Sequence, residues 1–209
     1  MRREELEENT PAEQPIKDSA PKESFTQTIF SYLHDMLFLM IFVILILVFC
    51  LRVVIVSGSS MKNTLVDGDY VLLLSNYFYR TPEQGDIIVA CKDSFRNGEP
   101  IIKRIIAVEG QEVDIDFDKG VVYVDGNALT EPYLGSPTHT PEGVVFPIVV
   151  EEGCVFVLGD NRMGSNDSRS PSIGTIDRRE ILGKAILLLL PGKGEDDSPR
   201  DFSRIGGLS

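Results

Sequence analysis

Residues 36–51 read MLFLMIFVILILVFCL, an unbroken apolar run, and VVIV at residues 53–56 extends it past the single charge of Arg52. With Ile29, Phe30, Tyr32 and Leu33 ahead of it, the apolar length reaches about 20 residues, enough for one helix to cross a bilayer core. An uncleaved anchor over residues 25–56 is the resulting expectation. Its rival is a cleavable signal peptide, which the long polar stretch ahead of the run and the lack of a small-residue cleavage pattern after it disfavour. Arg52 lies close to the far end, where its side chain reaches the headgroups, so it does not argue against the span. Arg2, Arg3, Lys17 and Lys22 precede the span and Arg52 and Lys62 follow it, a slight bias toward an inside N-terminus.

Outward from this run the composition changes on both sides. Residues 1–24 are rich in Glu, Pro, Lys and Ser with almost no large apolar groups, so burial cannot offset the entropy of ordering, and a disordered cytosolic tail is expected. Downstream, short β-branched runs at 86–91, 101–108, 113–117, 121–124, 144–150, 154–158 and 182–190 alternate with Gly, Pro and Asp. That spacing predicts a mainly β domain over residues 57–191. Asp118-Lys119-Gly120 between two alternating runs signals a tight hairpin. Residues 192–209 are polar and are expected to fray.

The formal net charge of −12 argues against a nucleic-acid partner, which needs clustered Lys and Arg. A membrane or protein partner stays open. Cys50 falls inside the apolar run; Cys91 and Cys154 are either one bridge or, as the simpler reading, two isolated thiols. No His/Cys cluster has metal-ligand spacing, so neither a metal nor another cofactor is expected.

Three segments carry chemistry. The first, Ser57-Gly58-Ser59-Ser60-Met61-Lys62-Asn63-Thr64-Leu65-Val66-Asp67-Gly68-Asp69, is a Ser- and Gly-rich loop directly beyond the span; a flexible juxtamembrane linker is its bland description. The second is Pro100-Ile101-Ile102-Lys103-Arg104-Ile105-Ile106-Ala107-Val108, a strand with two cations. Lys103 shares its face with Ile101 and Ile105, and Arg104 shares the other with Ile102 and Ile106, so one cation lies among apolar neighbours if either face is core. A buried lysine loses proton affinity and becomes a base, whereas arginine stays charged. An edge strand whose lysine reaches water is the alternative. The third, residues 158–169, LGDNRMGSNDSR, closes an apolar strand with alternating Asp and Arg, as in a loop pinned by carboxylate–guanidinium pairs, or in a solvated surface turn.

Together these segments resemble the bacterial type I signal peptidases, the Ser-Lys family that removes signal peptides from exported proteins. The resemblance rests on Ser60-Met61-x-x-Thr64-Leu65 with Gly68-Asp69, on Gly85-Asp86-Ile87-Ile88-Val89, on Lys103-Arg104, and on Gly159-Asp160-Asn161-Arg162 with Ser165 and Asp167-Ser168-Arg169. The short stretch between Lys103 and Gly159 resembles the minimal Gram-positive form. It implies one transmembrane helix followed by a β-domain of coiled antiparallel sheets, anchored in the cell membrane with the catalytic domain on the extracytoplasmic side. Matched to the family's motifs, Ser60 is the nucleophile, Lys103 its general base, and Ser165 the hydroxyl that orients the lysine. The Ser60 N–H donates to the oxyanion; Gly58 stands where some relatives add a side-chain hydroxyl, which leaves a backbone amide or water as second donor. Val56, Met61, Leu65 and Ile102 line shallow pockets for the small residues of A-x-A, and Asp160, Arg162, Asp167 and Arg169 are structural ion pairs. Partners are preproteins, the bilayer and plausibly the secretion translocon. Asn63 departs from the usual proline, and Ala107-Val108-Glu109-Gly110-Gln111 from Gly-x-Pro-Gly-Asp.

Other classes compete. His139 sits in a turn-rich loop, and a sortase-like enzyme would pair it with Cys154; a non-enzymatic anchored β-domain is the other reading. The joint presence of Ser60, Lys103 and Ser165 favours the peptidase.

Overall fold

The computed structural model describes residues 25–92, 95, 98–193 and 198–208. The disordered tail expected over residues 1–24 and its four basic residues lie outside them. The chain divides into two compact units, Met1–Phe42 and Val43–Ser209.

Helix α1 spans Phe25–Phe49, and none of its residues is buried by protein. At 1.5 Å per residue it extends about 37 Å, more than a bilayer core, and its apolar side chains point in every direction, as in a membrane span. The helix stops short of the expected residue 56. Leu51–Ile55 is instead strand β1, paired antiparallel with β2 (Tyr70–Ser75) from Leu51↔Leu74 to Ile55↔Tyr70. Val53, Val54 and Ile55 favour extended backbone, and the neighbouring strand supplies the hydrogen bonds that a helix would otherwise provide.

The remaining strands are β3 (Ile87–Cys91), β4 (Pro100–Val108), β5 (Glu112–Asp116), β6 (Val121–Val124), β7 (Asn127–Ala128), β8 (Ile148–Val149), β9 (Cys154–Leu158), β10 (Ile176–Asp177), β11 (Ile181–Leu190) and β12 (Gly206–Gly207). They build two sheets, one ordered β1-β2-β11-β3-β4-β9-β10 with β12 against β11, the other β7-β6-β5-β8. All pairings are antiparallel. The hairpin expected at Asp118-Lys119-Gly120 joins β5 to β6, with Gly120 at a φ of 71° that its missing Cβ makes inexpensive. The strand expected over residues 144–150 shrinks to Ile148–Val149, because Pro147 has no N–H to give a ladder.

Strand β4 organises the interior. Ile102 joins the core cluster of Val56, Met61, Leu65, Leu73 and Val89; Ile101 and Ile105 join that of Ile88, Val155, Val157 and Ile176; Ile106 and Ala107 join that of Val113, Val122 and Phe156. Both faces of β4 are therefore covered, and a register shift against β9 between Ile105 and Ala107 redirects the chain from one cluster to the next. The C-terminus departs from the sequence reading of a frayed tail. Residues 198–208 dock on the domain: Phe202–Arg204 form a 3₁₀ turn, β12 pairs with Leu187 and Leu188, and Leu208 packs on the first cluster. Cys50, Cys91 and Cys154 are not joined in a disulfide.

Candidate active site

Strand β4 and the loop at 56–69 meet at Lys103 and Ser60. The lysine is 4 % exposed, yet its Nζ lies 2.8 Å from Ser60 Oγ and donates to the Ile102 carbonyl at 2.9 Å. Arg104, next along the strand, is buried as well. Both cations thus lie inside, where the alternation of the strand required only one of them. The edge-strand alternative for Lys103 fails, since β3 and β9 flank β4.

Ser60 is presented by a turn closed on itself. Lys62 N–H donates to the Ser59 carbonyl, and the N–H groups of Thr64 and Leu65 both donate to Met61 O. Where the loop leaves and rejoins the sheet, Val56 N–H donates to Asp69 O and Gly68 N–H to Val56 O. Gly58 N–H donates to Asp67 Oδ1 at 2.8 Å, so that amide braces the loop and is not free to be a second oxyanion donor. Ser60 N–H has no acceptor among the described residues. The loop is therefore a braced turn, not a flexible linker.

Asn63 takes a φ of 91°. A proline, locked near −65°, has no access to that conformation, whereas asparagine tolerates it. Its side chain lies where a Cβ on Gly135 would sit, 2.3 Å from Asn63 Nδ2. The departure from the usual proline thus comes with its own local packing.

The third segment holds the other side of the turn. Asn161 N–H donates to Ser60 O at 3.0 Å and its side chain to Ser59 O at 3.0 Å. Asp160 takes a two-pronged grip from Arg104, Nε to Oδ1 and Nη2 to Oδ2 at 2.9 Å each, and also accepts from Thr64 Oγ1. Asp167 pairs with Arg169 Nε at 2.8 Å and accepts from Gly159 N–H at 3.0 Å. Arg162 pairs with Glu131 and Thr138, and Arg169 also reaches Glu142 at 3.1 Å. All four residues expected in ion pairs are buried in them, although Asp160 and Arg162 take partners from outside the segment, namely Arg104 and Glu131. The Arg104 guanidinium lies 3.9 Å over the Tyr133 ring, a cation–π contact. Burial, and then the neighbouring Glu131 carboxylate, push the Tyr133 phenol well above its ordinary range. Burial likewise raises the Glu142 carboxyl.

Ser165 is 5 % exposed and its Oγ has no hydrogen-bond partner. It packs on Gly159, as the Ser60 carbonyl does: a Cβ on that glycine would fall 2.2 Å from Ser165 Oγ and 2.5 Å from Ser60 O. The lysine contact expected of Ser165 is not made in this arrangement, in which the Ile102 carbonyl holds Nζ.

An open cleft of about 630 Å³ adjoins the pair, lined by Val54, Val56, Ser60, Ile102, Lys103 and Leu182 among others. Of the expected pocket residues Val56 and Ile102 line it; Met61 and Leu65 are fully buried beneath, in the same core cluster. His139 Nδ1 donates to Phe117 O, 2.9 Å away, just beyond the end of β5, and serves no such site. Asn161, Thr64, Glu131 and Glu142 carry structural work that the sequence did not assign. The first two were in the quoted motifs; the two glutamates are single acids in loops, with no local signal.

A serine hydroxyl within hydrogen-bond reach of a buried amine, on a domain carrying an apolar helix, is the equipment of an anchored serine hydrolase. The family model described as "Signal peptidase, peptidase S26" matches residues 29–190, and the chain belongs to that family. Among its relatives are a probable signal peptidase I-1 of Synechocystis sp., 35 % identical over 143 residues, 65 % of this chain and 69 % of the relative, and the signal peptidase I T of Bacillus subtilis, 33 % identical over 150 residues, 66 % and 72 %. Signal peptidase I of Bacillus licheniformis is 29 % identical over 172 residues, 78 % of this chain and 90 % of the relative. A crystal structure of a signal peptidase I from Enterococcus faecalis, 31 % identical, covers 50 % of this chain and 97 % of its own with a TM-score of 0.40. The protein is a membrane-anchored signal peptidase, a serine peptidase whose substrates are preproteins and whose catalytic domain is extracytoplasmic.

Proposed function

We propose that Ser60 is the nucleophile and Lys103 the general base of signal-peptide cleavage, with A-x-A precursors as the preferred substrates. The observation that carries this is the 2.8 Å separation of Lys103 Nζ from Ser60 Oγ in a site where the amine is almost fully buried. Burial among isoleucines works against the charged form of an amine. The neutral amine takes the hydroxyl proton as Oγ bonds to the scissile carbonyl carbon, and the tetrahedral oxyanion accepts from Ser60 N–H. Collapse breaks the C–N bond, the ammonium returns its proton to the leaving amine, and the acyl chain stays on Ser60. Water, deprotonated by the same amine, then hydrolyses the ester and restores the hydroxyl.

Ser165, with an unpaired buried hydroxyl on the Gly159 side of Ser60, is the group for orienting the amine once it is neutral. Val56 and Ile102 form the apolar wall that favours small side chains, and Met61 and Leu65 set its position from below. In domain terms the anchor comprises residues 25–49, the catalytic domain starts at β1, and the docked residues 198–208 belong to it. Placement beside the translocon follows from substrates that are held at the bilayer by their own apolar segments.

The test is cleavage of a purified precursor in detergent or lipid. Ser60→Ala is expected to abolish product while leaving the thermal transition in place; a Ser60→Ala enzyme with unchanged turnover rules out this nucleophile.

A further inference from the structure

The family match stops at residue 190, but the chain beyond it returns to the loop that presents Ser60. Arg204, brought in by the 3₁₀ turn Phe202–Arg204, donates from Nη1 to Asp69 Oδ1 at 3.1 Å and from Nη2 to Asp69 Oδ2 at 2.7 Å, a fork-on-fork pair with a carboxylate that is fully buried. The same Nη2 reaches the Thr64 carbonyl at 3.2 Å. Asp69 in turn accepts from Val66 N–H at 2.8 Å and from Gly192 N–H at 2.7 Å. Gly192 approaches so closely that a Cβ there would lie 2.2 Å from Asp67 O. One guanidinium thus gathers the end of the nucleophile turn, the exit of the loop and the descending C-terminal chain.

We propose that Arg204 is a positioning residue for the reaction, and that residues 198–208 are a strap that holds the turn carrying Ser60 in register with Lys103. The connection is short and made of bonds already described. Arg204 fixes the Thr64 carbonyl, Thr64 Oγ1 is tied to Asp160, Asp160 is gripped by Arg104 beside Lys103, and Thr64 N–H closes the turn onto Met61 O. Leu208 adds an apolar contact on the cluster that contains Met61 and Leu65, and its N–H donates to Ile186 O at 3.1 Å. Without the strap, Asp69 keeps its backbone donors but loses its only cationic partner among the described residues. The Thr64 carbonyl loses its side-chain donor at the same time. The end of the turn is then free to shift relative to the strand that carries the base. A shift of this kind acts first on the bond-making step, because neither Thr64 nor Asp69 lines the cleft, whose apolar wall includes Val54, Val89, Ile102 and Leu182 from the sheet besides Val56 at the start of the loop.

The inference rests on Ser60 as nucleophile, and the experiment separates the two. Full-length protein in detergent is given a precursor substrate, and single-turnover rate and KM are measured for wild type, Ser60→Ala, Arg204→Ala and Arg204→Lys, well below each variant's melting temperature. Arg204→Ala is expected to lower the single-turnover rate by about tenfold or more with KM within about twofold of wild type, as misorientation without loss of binding does. Arg204→Lys, which keeps the charge but not the fork, is expected to fall between the two. An Arg204→Ala rate equal to wild type, or a loss carried entirely by KM, overturns the proposal while an inert Ser60→Ala enzyme leaves the nucleophile standing. Should Arg204→Ala not fold, Arg204→Lys carries the same decision: a reduced rate at unchanged KM supports the strap, and a wild-type rate removes it.

Discussion

Gly159→Ala is a one-methyl change outside the reacting pair, and the structure says what it meets. The new Cβ would sit 2.5 Å from the Ser60 carbonyl oxygen, 2.2 Å from Ser165 Oγ and 2.4 Å from Ser165 Cβ. Optimal non-bonded separations are about 3.5–4.0 Å, so Ser60 or Gly159 must yield by about 1 Å. Gly159 is not free to yield, because its N–H donates to buried Asp167 and its carbonyl accepts from buried Arg162. Ser60 therefore moves. A misplacement of about 1 Å at a reacting group costs about 100-fold in rate, and overpacking of this kind costs about 1–3 kcal/mol of stability. Precursor cleavage rates and a thermal melt read the two effects separately. Adding Ser165→Gly removes two of the three collisions but not the one with Ser60, so the double variant is expected to regain stability and not rate. Gly159→Ala with activity within about threefold of wild type would refute the claim that this glycine sets the position of the nucleophile.

Two further substitutions test the support around the site. Asp160→Ala leaves the buried Arg104 guanidinium without its carboxylate and is expected to cost about 3–5 kcal/mol, read as a lowered urea midpoint; an unchanged midpoint contradicts the pairing. Asn63→Pro, which restores the residue common in the family, is expected to lower both stability and cleavage because φ is 91° at this position. A more active and more stable Asn63→Pro enzyme would show that the turn does not need that conformation.

Much of this architecture is legible in the sequence because its signals are local. The apolar run, the alternating strands, the Asp118-Lys119-Gly120 hairpin and the motif order each depend on neighbours in the chain. The boundary of the anchor was not legible. VVIV after Arg52 is equally apolar as helix or strand, and only the pairing of Leu51–Ile55 with Tyr70–Ser75 decides between them. The extent of β2 has no clear local signal, because YVLLLS is apolar nearly throughout and carries no clean alternation. That both Lys103 and Arg104 are interior required knowing that sheet neighbours and loops cover both faces of β4. Glu131, Glu142 and Arg204 were invisible for a different reason: none lies in a motif or an alternating run, and their partners are 31, 27 and 135 residues away, respectively.

The account depends most on Lys103 as the proton carrier, and its direct measurement is the single-turnover cleavage rate of Lys103→Met. Methionine is uncharged and of similar length, so the β4 packing survives while the base is removed. A fall of about 10²–10⁴-fold, with the melting temperature close to that of wild type, is the expected result. A Lys103→Met enzyme that cleaves at the wild-type rate would contradict it.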